Sequence, residues 1–267
     1  MNIQTTYGYT PLRQSFLKGN ESLCRLLLEH KADVNIQDKD GHTPLHRCAL
    51  MGNEALCRLL FEHNADVNIQ DNLGYSPMHW CAFKGYEILC RLLLEHNADV
   101  NIQDKDGYTP LHRCALMGNE KLWSLLLEHN ADVNIQDNHG YTALHWCAFK
   151  GNEYLCRLLL EHNVGVNIQD NHGYSPLLWC TFRGNENLCR LLLEHSADVN
   201  VQDNHGYTPL LWCALMGNEE LCRLILEHNA GVNIQDKDGY TPLYWSVRKG
   251  NEELCRLLLK HSADVNV

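Results

Sequence analysis

Residues 41–73 decide the fold, and they read GHTPLHRCALMGNEALCRLLFEHNADVNIQDNL. The glycine that opens this segment recurs every 33 residues without insertion, at Gly8, Gly41, Gly74, Gly107, Gly140, Gly173, Gly206 and Gly239. A fixed period of this size indicates one supersecondary unit that is copied along the chain. A single copy cannot bury its own apolar face, so the copies must stack. We therefore expect a single domain over residues 1–267.

The copy that begins at Gly41 contains signals for two helices. Thr43 is a good N-cap and Pro44 suits the first helical position, while Gly52 supplies the left-handed residue that closes many helices. Asn53 can then cap a second helix, whose apolar residues share one stripe at Leu56, Leu59 and Leu60. Residues 65–74, rich in Asn, Asp and Gly, predict a turn that projects a hairpin-like finger.

These residues resemble a known family. The T-P-L-H block at 43–46 and 109–112, the small pair at 48–49, Gly52, the L-L-F run and A-D-V-N together look like the ankyrin repeat, and the resemblance covers Gly8 to Val267. It implies an all-α solenoid of antiparallel helix pairs joined by β-hairpin-like fingers. Leu178 and Leu211 depart from the family pattern, because they replace the T-P-L-H histidine and put its hydrogen bonds in doubt.

Composition narrows the class of partner. The chain of 267 residues carries a net charge of −11, which disfavours nucleic acid and anionic membranes. The chain has no run of eighteen apolar residues, and residues 1–6 lack the pattern of a signal peptide, so membrane insertion is not expected. The thirteen cysteines fall into two registers, and within each register successive members lie 33 residues apart except where Trp123 interrupts the second. This pattern predicts buried, reduced thiols and a cytoplasmic protein without disulfides. We expect a monomer that does not insert into membranes.

Sites for metals, cofactors or catalysis are not expected. The sixteen histidines fall mostly into repeated columns, whose members should lie too far apart to share a zinc ion. No phosphate-binding loop, nucleophile elbow or dinucleotide fingerprint is present. Since almost every polar residue is repeated, we predict that the chain is not an enzyme and needs no cofactor.

A partner surface is the favoured interpretation of the variable positions. In the ankyrin family, partners commonly dock on the concave face, so the resemblance points to residues beside the finger glycine and before the inter-helix glycine. These are Tyr75, Tyr108, Tyr141, Tyr174, Tyr207, Phe83, Lys84, Leu116, Met117, Phe149, Lys150, Phe182, Arg183, His139, His172 and His205. The alternative is that the tyrosines only pack on neighbouring fingers. A tryptophan column is assigned to the core: Trp80, Trp146, Trp179, Trp212 and Trp245.

Two further expectations concern side-chain chemistry. Basic residues such as Lys84, Lys150 and Arg183 could select an acidic or phosphorylated segment, or could serve solubility alone. The family resemblance also implies that asparaginyl hydroxylases could modify Asn68, Asn101, Asn134 and Asn200.

The predicted function is a protein–protein interaction scaffold or adaptor. The alternatives are a spacer or inhibitory segment of a larger ankyrin protein, and a host-directed effector or engineered binder.

Overall fold

The computed structural model describes Thr5 and residues 8–266, and within that part all regular structure is helical. In the described residues, sixteen helices alternate with turns. Their bounds are α1 Pro11–Leu17, α2 Glu21–Glu29, α3 Pro44–Met51, α4 Glu54–Glu62, α5 Pro77–Lys84, α6 Glu87–Glu95, α7 Pro110–Met117, α8 Glu120–Glu128, α9 Ala143–Lys150, α10 Glu153–Leu160, α11 Pro176–Arg183, α12 Glu186–Glu194, α13 Pro209–Met216, α14 Glu219–Glu227, α15 Pro242–Lys249 and α16 Glu252–Lys260. The predicted all-α repeat solenoid is confirmed.

The contacts divide the chain into two compact units, Met1–Asn138 and His139–Val267. Unit 1 contains α1–α8 and unit 2 contains α9–α16. Within each unit, the first helix of every pair packs on the first helix of the next pair, and the second helices pack likewise. The expectation of a single domain stays a prediction.

The helix ends lie where the sequence placed them. Thr43 has an extended backbone and its Oγ1 accepts the His46 N–H, so α3 begins at Pro44. At the other end, Gly52 adopts φ 72° and its N–H bonds to the Cys48 carbonyl. The side chain of Asn53 then caps α4. Local capping chemistry thus fixes the length of each short helix.

The core is the stacked stripe of the second helices together with the small residues of the first. Leu56, Leu59 and Leu60 are at most 1% exposed. All thirteen cysteines are free thiols; twelve are buried, and Cys255 is half-buried. Burial raises the pKa of thiols such as Cys81 and Cys114 well above the usual value, so these side chains are neutral apolar packing groups.

The fingers are tight turns and contain no β-strand in the described part of the chain. In the finger that follows α4, the Asp71 N–H donates to the Tyr75 carbonyl and the Gly74 N–H donates to the Asp71 carbonyl. This short reversal presents Tyr75 beside α5. None of the described helices has both the length and the apolar character needed to cross a membrane.

Candidate functional site

A buried aspartate builds each finger and positions its aromatic residue. One oxygen of Asp71, Oδ1, accepts the backbone N–H groups of Leu73 at 2.8 Å and Tyr75 at 2.9 Å. Asp104 and Asp170 hold Tyr108 and Tyr174 in the same way. The carboxylate satisfies backbone donors that the short turn leaves unpaired, so each tyrosine has a fixed position on its own finger.

The second oxygen of this aspartate meets an arginine in some repeats and a tryptophan in others. In unit 1, Asp104 Oδ2 accepts a hydrogen bond from the Arg113 guanidinium at 2.5 Å. In unit 2, Asp170 Oδ2 accepts the indole N–H of Trp179 at 3.0 Å. The same indole bond joins Trp212 to Asp203 and Trp245 to Asp236. An arginine and a tryptophan therefore occupy the same register, nine residues after the aspartate.

The T-P-L-H histidines connect neighbouring repeats beside the finger tyrosines. His79 Nδ1 accepts the Ser76 backbone N–H at 3.1 Å, and its Nε2 lies 2.9 Å from the Tyr108 carbonyl. Burial lowers the pKa of His79 to about 4, and it lowers that of His46 to the same value. Both imidazoles are therefore neutral at pH 7, and they are structural links between fingers and helices.

In unit 2 the rings form a continuous aromatic row. Tyr174 lies 5.0 Å from Trp179 and 6.0 Å from Trp212, measured between ring centroids. Phe182 bridges the same two tryptophans at 6.0 and 5.2 Å. Burial, followed by the charge of Asp203, raises the pKa of Tyr174 to about 12. Tyr174 is thus a neutral, half-buried ring that contacts the next repeat.

The predicted partner-binding residues of the helix ends remain accessible. Phe83 and Phe182 are both 37% exposed, Met117 is exposed, and Leu116 and Phe149 are half-buried. The cationic side chains of Lys84, Lys150 and Arg183 are exposed, and so are His139, His172 and His205 on the finger turns. Of these finger histidines, His139 lies 6.2 Å from the ring of Tyr141. The structure therefore brings the tyrosine and phenylalanine sets together with the tryptophans.

The assignment of the tryptophan column to the core is wrong. Trp80, Trp146 and Trp179 are half-buried and line clefts on the finger side of the first helices. Trp123, on a second helix, is the fully buried one. The signal that sequence reasoning overlooked is the exchange of tryptophan for arginine at Arg47 and Arg113, because a position that accepts a cation has access to polar surroundings.

Among the residues that the structure describes, one group of side chains has the composition of a metal site. Carboxylate and imidazole atoms of Asp38, Asp40 and His42 lie within 4.8 Å of one another. However, Asp38 Oδ2 already accepts hydrogen bonds from Arg13 at 2.9 Å and Arg47 at 3.0 Å. Two guanidinium groups beside the carboxylate would repel a divalent cation, so this cluster is better suited to an internal ion-pair network.

The asparagines that follow the A-D-V motif lie at repeat junctions. Asn68 Oδ1 accepts the backbone N–H of Asp99 at 2.8 Å, and Asn101 Oδ1 accepts that of Asp132 at 2.8 Å. In unit 2, Asn200 Oδ1 accepts the N–H of Gly231 at 2.7 Å. The backbone N–H of Asn134, in the same register, donates a hydrogen bond to the Asp132 carboxylate. These side chains are structural bridges as well as partly accessible groups.

Comparison with curated proteins returns no match to this chain. A family model described as Ankyrin repeats (3 copies) matches residues 1–71, 64–137, 130–203 and 196–267. The four overlapping matches span the same 33-residue units whose capped helix pairs and aspartate-held fingers are described above. The chain therefore belongs to the ankyrin repeat family.

Proposed function

We propose that this protein is an interaction module that holds a segment of a partner protein against its aromatic row. Ankyrin repeats are generally protein–protein interaction modules. The observation that carries the proposal is the row of partly exposed rings in unit 2, where Trp179 contacts both Tyr174 and Phe182 and all three rings still face solvent. Aromatic rings that are already held by neighbours lose little side-chain freedom on binding, which favours affinity.

The cations at the helix ends add a polar rim. Arg157 and Arg190, on the second helices, each pair with a glutamate one turn earlier. Lys150 and Arg183 lie instead beside the row, and the Arg183 guanidinium lies 5.0 Å from the centroid of Phe149. We propose that such rim charges orient the partner segment, since exposed charges influence association rate and specificity more than affinity.

Affinity capture tests this function. The chain would be compared with a variant carrying Tyr141→Ala, Phe149→Ala and Tyr174→Ala, using lysate of the source organism and mass spectrometry. The matched control is Tyr154→Ala, which removes a 53% exposed ring from α10. A protein retained by the parent and the control but lost by the row variant supports the proposal. Equal retention by all three would place the binding site elsewhere, and capture of nothing specific would favour a spacer or inhibitory segment.

We also propose a cytoplasmic monomer without catalytic activity. The support is the set of thirteen free thiols, which suits a reducing compartment, and the net charge of −11, which opposes self-association. The repeated polar residues are engaged in capping and finger construction, as Thr43 and Asp71 illustrate.

Hydroxylation of Asn68, Asn101, Asn134 and Asn200 is a further proposal of the family resemblance. Because the amide of Asn68 bonds to the next repeat, an asparaginyl hydroxylase would act only on a locally opened junction. Exposure to such an enzyme should add the mass of one oxygen to peptides that span these residues. Unchanged peptide masses would remove the proposal.

A further inference from the structure

Four rings of unit 2 form a closed aromatic box. Tyr141 and Trp146 lie 5.3 Å apart, Trp146 and Phe149 6.2 Å, Phe149 and Trp179 5.4 Å, and Trp179 returns to Tyr141 at 5.9 Å. The angles between neighbouring ring planes are 73°, 86°, 89° and 69° in the same order. Near-perpendicular neighbours are what the walls of a four-sided box require. The rings line a cleft together with His145.

The dimensions of the box suit a cation. A square with sides of this length places its centre about 4 Å from each ring centroid, within the roughly 6 Å over which a cation is attracted to an aromatic face. The lining is almost entirely apolar, so a primary ammonium would lose its hydrogen bonds to water there without replacement. A methylated ammonium keeps the positive charge and has fewer N–H groups to satisfy.

In unit 1 the equivalent cleft contains a cationic side chain. The equivalent cleft is lined by Tyr75, His79, Trp80, Phe83 and Arg113, each 66 residues before its counterpart in unit 2. The Arg113 guanidinium carbon lies 4.9 Å from the ring centroid of Tyr75 and 4.4 Å from that of Tyr108. Unit 1 thus supplies a cation of its own to the tyrosine face. In unit 2, Trp179 replaces this arginine and completes the fourth wall.

Charge near the box has both signs. The buried carboxylate of Asp170 accepts the indole N–H of Trp179, which places negative charge behind that wall. On the other side, the Arg183 guanidinium lies over Phe149. Arg183 is an exposed side chain at a helix end, so it competes with an incoming cation but can move away.

We propose that the box formed by Tyr141, Trp146, Phe149 and Trp179 binds a methylated ammonium group carried by a lysine side chain of the partner segment. The protein origin of this group rests on the proposed function, whereas the affinity of the box for the cation does not. The ligand is recognised by charge, by shape and by its lack of N–H donors.

Choline chloride is the first probe, with 3,3-dimethylbutanol as its uncharged counterpart of the same shape. Each would be titrated against the full chain by proton NMR, because methyl groups inside a ring of aromatic faces shift upfield. We expect saturable choline binding with an upfield methyl shift, and binding of the alcohol that is weaker on the order of fivefold or more. Equal binding of the two would overturn the cation site.

Variants within unit 2 locate the site. Trp179→Arg introduces the residue that unit 1 carries at this register, so we expect the new guanidinium to occupy the box and choline binding to fall at least about tenfold. Tyr154→Ala removes a 53% exposed ring that lies outside the row and should leave choline binding within about twofold. Phe149→Leu removes one wall while keeping an apolar helix residue, and should also weaken binding. Arg183→Ala should tighten it. Choline binding that survives both Trp179→Arg and Phe149→Leu would refute the assignment.

A pair of peptides distinguishes the source of the ammonium group. The capped pentapeptide Ala-Ala-Lys-Ala-Ala would be titrated with its lysine either trimethylated or unmodified. We expect the trimethylated peptide to bind at least as tightly as choline and several-fold more tightly than the unmodified one. Choline binding without binding of the trimethylated peptide would replace the protein ligand by a small molecule. If capture identifies no protein while choline still binds, the proposed function fails and the cation site stands.

Discussion

Acid should destabilise unit 1 through its buried histidines. The pKa of His46 and of His79 is about 4 in the folded chain because burial penalises the imidazolium, while an unfolded histidine titrates near 6.5. The unfolded state therefore takes up protons first as the pH falls, and stability is lost between about pH 6.5 and pH 4. Linkage over this gap gives about 2 kcal/mol per histidine between pH 7 and pH 5, and about 3 kcal/mol at the acid limit.

Hydrogen exchange followed by mass spectrometry measures this loss locally. Between pH 7 and pH 5, the opening free energy of α3–α6 should fall in the parent chain by about 3–4 kcal/mol more than in the double variant His46→Leu, His79→Leu. Leucine is a suitable replacement because buried Leu178 and Leu211 occupy this register in unit 2. The segment α11–α14, which contains these leucines, is an internal reference in the same sample. Equal losses in the parent and the double variant would refute the assignment of acid sensitivity to the histidines.

Three more predictions concern packing, backbone and thiols. Leu59→Ala should lower the free energy of unfolding in urea by about 2–5 kcal/mol, because this side chain is only 1% exposed. Leu26→Ala, at the same register but 50% exposed, should lower it by under about 1 kcal/mol. Similar losses in the two variants would contradict the stacking of the second helices. Gly74→Ala should lower the thermal midpoint by several degrees more than Gly239→Ala. At Gly74 the added Cβ would lie 2.7 Å from a backbone nitrogen of the next finger, whereas at Gly239 it would lie near no other atom. An equal drop in the two variants would show that the contact between fingers gives way. Under native conditions a maleimide reagent should label Cys255 first and the buried thiols only after unfolding, which peptide mapping would show; rapid native labelling of many thiols would contradict their burial.

The repeat architecture could be predicted because its signals are local. Thr43, Pro44 and Gly52 each set a backbone conformation that depends on a few neighbouring residues, and the structure confirms the helix they delimit. Because the 33-residue period repeats the same signals, one correct assignment applies to all eight copies.

The candidate site was only partly predictable because its contacts join different repeats. The spacing of the tyrosines and phenylalanines identified one side of the row, but the period does not say whether Trp179 points into the core or toward the fingers. Its bond to Asp170, nine residues earlier, settles that orientation. The role of Asp170 could not be predicted, because the sequence of its segment predicts only a turn. It does not show whether the carboxylate bonds to the finger or faces water.

The placement of the indoles makes the protein a spectroscopic reporter of its own surface. Five of the six tryptophans lie half-buried in the finger-side register, and Trp123 alone is fully enclosed. Intrinsic fluorescence should therefore respond to whatever covers this surface. A ligand could be followed by emission wavelength and quenching without any attached dye, while unfolding is better followed by circular dichroism.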